Sequence, residues 1–222
     1  MKLVKAMATV AGMTGLSRIA GFARDMLTAA YLGAGPGADA FFVALKLPNF
    51  FRRVTAEGAF SIVFVPMYSK TREIETQEKA DAFASNAFMV MCAVLSVFII
   101  PALILMPFVI SAIAPGFVDD PVRMSLAVEL TRITFPYLLL ISLAALLGGV
   151  LNAMDRFAPF AFAPVLFNLS LIVSLLLSNY FESVGHAMAW GLLMAGVLQL
   201  LFLWGCAKRA GVRITVSRPK LN

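Results

Sequence analysis

Residues 17–25 read SRIAGFARD, inside a stretch, AMATVAGMTGLSRIAGFARDMLTAAYLGAG (6–35), that otherwise has the composition of a membrane interior. Three charges, Arg18, Arg24 and Asp25, fall where lipid tails belong. A charge at the centre of a spanning helix costs about 2.5–3.5 kcal/mol even on the more permissive insertion scales, so an intramembrane charge is by default a functional-site hypothesis. The rest of the chain sets that hypothesis in context. Of 222 residues, 61% are hydrophobic and 14% charged, and the mean hydropathy of +0.90 lies far outside the range of soluble domains. The fold class is an all-α polytopic membrane bundle.

Apolar runs long enough to cross about 30 Å of hydrocarbon occur at roughly 6–32, 38–67, 82–114, 122–152, 158–180 and 186–207. They predict six transmembrane helices, since a single helix satisfies its own backbone polar groups in lipid. The opening MKLVKAMATVAGMTG is read as part of an uncleaved first helix rather than a secretory signal, because apolar character resumes after Asp25. The connecting segments are short, so residues 1–209 are expected to form one six-helix lobe. Residues 210–222 are expected to be a basic cytoplasmic tail or a truncated linker. With the N-terminus inside, the inner segments carry Lys2, Lys5, Lys70, Arg72, Lys79, Arg156, Lys208, Arg209, Arg213, Arg218 and Lys220, whereas only Arg123 lies near an outer helix end. That asymmetry places both termini in the cytoplasm. It also explains most of the formal net charge of +6, and no aromatic-basic platform argues for nucleic acid.

Cys92 and Cys206 are far apart in apolar runs and read as small buried hydrophobes. His186, in NYFESVGHA, reads as a solvated loop histidine. No local cluster of His, Cys and carboxylate has metal spacing, no cofactor motif is present, and no nucleophile, base or acidic motif suggests an enzyme. The charges outside the loops are Arg18, Arg24, Lys46, Arg52, Arg53 and Arg132 against Asp25, Asp39, Glu57 and Glu129. Nearly all belong to the first two helices. At 1.5 Å per residue, Arg18 lies about 18 Å and Arg24 about 27 Å along the first helix, and Arg52 roughly 22 Å from the inner end of the second.

Arg18 and Asp25, seven apart, share a face, with Arg24 turned about a third of a revolution away. This spacing predicts one arginine held by a carboxylate and another left free. In DAFFVALKLPNFFRRVTAEGAFS (39–61), Asp39 and Lys46 are seven apart, and Asn49, Arg53 and Glu57 share a face beyond the kinking Pro48. Ion pairs that only fix helix packing could absorb part of this set, but six cations against four carboxylates leave a positive surplus. A water-accessible anion site is the functional reading, and arginine's planar fork suits phosphate oxygens. Glu129 and Arg132, three apart in VELTRITFPYLLL, are expected to pair with each other. Asn168, in NLS, lies within an apolar span and is set aside as a glycosylation site. Ser17, Gly21, Gly148 and Gly149 are read as permitting close helix contact.

SRIAGFARD, GAGPGADAFFVALKLPNFFRRVTAEGAFSIVFVP (33–66), APGF (114–117), LTRITFPYLLLISLAALLGGVLNA (130–153) and RFAPFAFAPVLFN (156–168) together resemble the MviN/MurJ family of lipid II flippases, within the multidrug/oligosaccharidyl-lipid/polysaccharide exporters. The resemblance covers the whole chain. It implies a transporter, not an enzyme. The cargo would be the undecaprenyl-diphosphate-linked peptidoglycan precursor, moved between leaflets of the bacterial cytoplasmic membrane. By resemblance, Ser17, Arg18, Arg24, Asp25 and Arg52 bind the head group, and Asp39, Lys46, Arg53 and Glu57 belong to the cavity or its gates. Family members have fourteen helices in two lobes, so the resemblance assigns this chain to the N-terminal lobe and makes a C-terminal lobe its missing partner. Alternatives are a flippase for another polyprenyl-diphosphate sugar, a drug or cation antiporter, or a scaffold for cell-wall machinery.

Overall fold

A computed structural model describes residues 2–55 and 59–215, with side chains from 7–50 and 62–215. The described residues form helices α1 (Lys2–Leu32), α2 (Pro36–Thr55), α3 (Ala59–Ile74), α4 (Gln77–Ile104), α5 (Met106–Ile113), α6 (Pro121–Thr134), α7 (Tyr137–Ala153), α8 (Phe157–Leu176) and α9 (Val184–Arg209). The all-α reading holds. The boundaries follow local chemistry. Gly33, at φ +63°, makes the left-handed turn that ends α1, and Pro36 opens α2 where its missing N–H costs nothing. The Asp120 side chain accepts from the backbone N–H of Val122 and Arg123, capping α6. Ser183 caps α9 by accepting from the N–H of His186.

The expected second span, 38–67, is assigned as α2 and α3, with 56–58 outside the described residues. The third comprises α4 and α5, parted at Leu105, and the fourth α6 and α7, parted at Pro136. Residues 121–153 still count as one of four spans long and apolar enough to cross a membrane, with α4, α8 and α9. The charges in SRIAGFARD dilute α1 below that standard. α2 remains helical through Pro48.

α7 is the centre of the bundle. Twelve of its 17 residues are buried, and it packs against α3, α4, α8, α9 and α2. One core cluster gathers Phe41, Met106, Ile110, Leu130, Leu138 and Leu175; a second gathers Phe64, Tyr68, Leu147, Leu151 and Leu203. Asp39 reaches Arg123 at 3.4 Å, and a Cβ on Gly185 would lie 3.7 Å from the Gly37 carbonyl. The turns after α1, before α6 and before α9 therefore share one end of the bundle. At the other end the Asp81 side chain accepts from Gln77 at 2.7 Å and from the Arg213 N–H at 3.0 Å, while Ser85 Oγ accepts from the Thr215 N–H. These bonds tie residues 213–215 back to α4. α4 turns Val97, Ile100 and Ile104 outward, as a lipid-facing helix does.

Small residues set the closest approaches. Gly21 lies under Asn168, and a Cβ on Gly149 would stand 3.1 Å from Val65. Gly191 of α9 faces Ser174 of α8 so closely that an added methyl would overlap the serine side chain, whereas a Cβ on Gly12 meets nothing within 4 Å. We expect Gly191→Ala to cost about 1–3 kcal/mol through overpacking. Gly12→Ala should be neutral or stabilising by up to about 1 kcal/mol. Thermal midpoints of the two variants in detergent test the contrast.

Candidate functional site

A cleft of ≈ 690 Å³ opens between α1, α2, α7, α8 and α9, lined by Ser17, Arg18, Arg24, Asp25, Asn49 and Asn168 among apolar and aromatic side chains. Arg24 is its best-defined polar group. Its Nε and Nη2 donate to Asp25 Oδ1 at 3.0 and 2.6 Å, and its Nη1 donates to Asn168 Oδ1 at 2.8 Å. The guanidinium also lies 5.7 Å from the centroid of the Phe167 ring, within cation–π range. Three of its five N–H groups are used, leaving one on each terminal nitrogen. The arginine is thus oriented without being fully satisfied, the condition under which a fork can still receive two oxygens of an anion.

Asn168 fixes the arrangement from α8. It is buried, and its Nδ2 donates to the Ser17 carbonyl at 3.0 Å, with Ser17 Oγ at 3.5 Å. One carboxamide therefore receives from Arg24 and donates to Ser17, two turns apart on α1. Gly21, between them in sequence, lies beneath it, where an added Cβ would stand 3.5 Å from Nδ2, an ordinary contact distance. Arg18 lines the same cleft, is exposed, and makes no ion pair or hydrogen bond among the described residues.

One arginine is held by a carboxylate and the other is not, among the described residues: Arg24 takes Asp25, although Arg18 shares its face. Adjacent residues diverge by about 100° on a helix, yet the long arginine side chain bends back to its neighbour.

The other sequence candidates separate. Asp39 pairs with Arg123 at one end of the bundle, away from the cleft wall. Lys46 is exposed and is not among the lining residues. Arg52 and Arg53 fall within α2 but their side chains, like Glu57, lie outside the described residues. Glu129 and Arg132 do not pair with each other: the Arg132 Nε donates to the Leu103 carbonyl at 3.1 Å, and Glu129 faces His186 at 3.4 Å. His186 is buried, not a solvated loop residue. Sequence reasoning also passed over Gln199, buried in the cleft wall, whose Nε2 donates to the Ala163 carbonyl while Oε1 has no partner among the described residues.

An apolar bundle whose cleft is edged by two arginines and an aspartate defines a polytopic membrane protein with a polar site at helix mid-length. A family model described as lipid II flippase MurJ matches residues 28–222, and the chain belongs to that family, whose members are transporters rather than enzymes. It is 44% identical to a probable lipid II flippase MurJ of Rhizobium meliloti (strain 1021), with 100% of this chain and 42% of the relative covered. It is 39% identical to the lipid II flippase MurJ of Burkholderia cenocepacia, covering 90% and 39%. A solved structure of lipid II flippase MurJ in an inward closed conformation superposes with a TM-score of 0.76 at 27% identity, covering 94% of this chain and 43% of that one. The chain thus spans about two fifths of the length of the curated relatives it matches.

Asn168→Leu removes two interhelical hydrogen bonds of the kind worth about 0.6–1.7 kcal/mol each in membranes. We expect it to lower stability by about 1–3 kcal/mol. Asp25→Asn, at a carboxylate 67% exposed, should cost less than about 1 kcal/mol. Chemical or thermal unfolding in one detergent ranks them.

Proposed function

We propose that this chain supplies the head-group site of a lipid II flippase: an N-terminal lobe whose cationic cleft receives the diphosphate of the polyprenyl-linked peptidoglycan precursor. The observation that carries the reading is the pair of guanidinium groups on α1: among the described residues, one is oriented by Asp25 and Asn168 with two N–H groups left over, and the other has no ion-pair or hydrogen-bond partner. Diphosphate offers the oxygens such donors require. Apolar walls suit the start of a polyprenyl chain, with the remainder staying in lipid.

In the full mechanism the cleft faces the cytoplasmic leaflet, takes the head group, and rocks against the C-terminal lobe to release it on the periplasmic side. Two bodies moving about a midplane site is the general logic of alternating access. The setting is the bacterial cytoplasmic membrane, with the basic end of the bundle inside. A potential negative inside then favours inward return of a positively charged empty carrier by about 2.3 kcal/mol per charge per 100 mV. Arg52, Arg53, Lys46, Glu57 and Asp39 are further candidates for the cavity or its gates.

The test is native mass spectrometry of the purified 222-residue chain with lipid II, undecaprenyl phosphate and a zwitterionic phospholipid in equal amounts. We expect selective retention of lipid II. Arg18→Ala, which breaks no ion pair or hydrogen bond among the described residues, should weaken it roughly ten- to a hundredfold, the loss of one charge-assisted contact of about 1.5–3 kcal/mol. Equal retention of all three lipids, or retention indifferent to Arg18, overturns the reading. Retention of other polyprenyl-diphosphate glycans as strongly as lipid II would confine recognition to the diphosphate.

A further inference from the structure

At the end of the bundle that holds the α1–α2 turn, three side chains distant in sequence converge. His186 Nε2 lies 3.4 Å from Glu129 Oε1 and 3.7 Å from Glu182 Oε2, and one ligand atom from each residue falls within 4.8 Å of the others. α6 supplies Glu129, the turn before α9 supplies Glu182, and the first turn of α9 supplies the histidine. We propose that these residues form a divalent transition-metal site of the zinc type, independent of the arginine cleft and of the transport reading.

Three observations support it. The first is distance. Two ligands each about 2.0–2.1 Å from a tetrahedral zinc stand about 3.4 Å apart, the separation found between His186 and Glu129. Glu182, its side chain 82% exposed, is free to rotate toward the other two ligands.

The second is the state of the imidazole. The His186 side chain is only 9% exposed, and its buried Nε2 has no hydrogen-bond partner among the described residues. Burial without a partner is costly for such an atom, and this one sits beside two carboxylates. Nδ1 is held 2.8 Å from Ser183 Oγ. With Nδ1–H donating to that hydroxyl, Nε2 presents its lone pair, the tautomer that a metal-ligating histidine takes when its other nitrogen is fixed by a hydrogen bond.

The third is charge. Two carboxylates and an imidazole nitrogen make a donor set of charge −2, matching a divalent ion. One nitrogen and two carboxylate oxygens favour zinc or manganese over calcium or magnesium, whose ligands are all oxygen. Three protein ligands leave a fourth position for water. Held in this way, α6 and the α8–α9 turn would be cross-linked at one end of the bundle.

The experiment uses the 222-residue chain purified without a polyhistidine tag, stripped with a chelator and titrated with zinc chloride. Bound metal is measured by equilibrium dialysis, and the imidazole by NMR, which is unambiguous because the chain contains a single histidine. We expect one equivalent of zinc, displacement of the His186 ring resonance at the same stoichiometry, and a thermal midpoint that rises with zinc. Glu182→Gln, at an exposed position with no packing role, should weaken binding at least tenfold with the zinc-free midpoint unchanged, and Glu129→Gln should do the same. Zinc uptake that leaves the His186 resonance unmoved, as capture by Cys92 or Cys206 would, overturns the proposal. So does a chain that takes up no stoichiometric zinc.

Discussion

A guanidinium well inside an apolar helix must find partners that its own helix does not supply in full. Arg24 takes one from the next residue, Asp25, and one from Asn168 on α8. The same carboxamide donates back to α1 at Ser17, so a single side chain registers the two helices against each other in both translation and rotation. A slip of one residue would rotate Arg24 about 100° from its acceptor and leave both groups unsatisfied in a weakly solvated setting. From α8 the constraint passes to α9 through the Gly191–Ser174 contact, and from α9 to the buried α7. The position of the arginines in the cleft is in this sense referred to the centre of the bundle.

The all-α membrane architecture was legible in apolar run length, and the concentration of polar chemistry in the first two helices was legible in where the charges fall. Both signals are local. What was not legible depends on pairs distant in sequence. Asn168 in NLS carries no mark distinguishing a glycosylation-like tripeptide from an interhelical bridge, beyond being a polar amide in an apolar span. That was the available signal, and Gln199 carries it too. His186 follows a serine by three residues, the spacing of an N-cap and its first-turn N–H donor, which already argued for a helix start rather than a solvated loop.

Spacing misled where side-chain length mattered. The i, i+7 relation of Arg18 and Asp25 places their Cβ atoms on one face, yet the flexible stem of Arg24 reaches the carboxylate of its immediate neighbour instead. The expected Glu129–Arg132 pair failed for a related reason. An i, i+3 pair on an exposed helix face is worth only about 0.2–0.5 kcal/mol, and each residue found a partner on another element: the Leu103 carbonyl for Arg132 and His186 for Glu129. Weak local pairings are readily displaced by tertiary contacts that happen to be within reach.

The distribution of burial bears on how the cleft is used. The buried hydrophobic core draws on α2 to α9, but among the described residues α1 contributes no fully buried side chain to it. α1 is attached through partly buried contacts, chiefly along α8, and through the polar bridge at Asn168. Ile19, Phe22 and Met26 on its other side are exposed. The helix that carries Arg18 and Arg24 is therefore the one whose displacement disturbs the core least, whereas α7, almost wholly buried, cannot move without repacking every neighbour. Anion-binding groups on a peripheral helix, steadied by one satisfiable carboxamide, can adjust to a ligand at the cost of a few hydrogen bonds. The same groups on α7 would have to break close packing to do so, and close packing, unlike a polar bridge, offers no alternative partner to the side chains it releases.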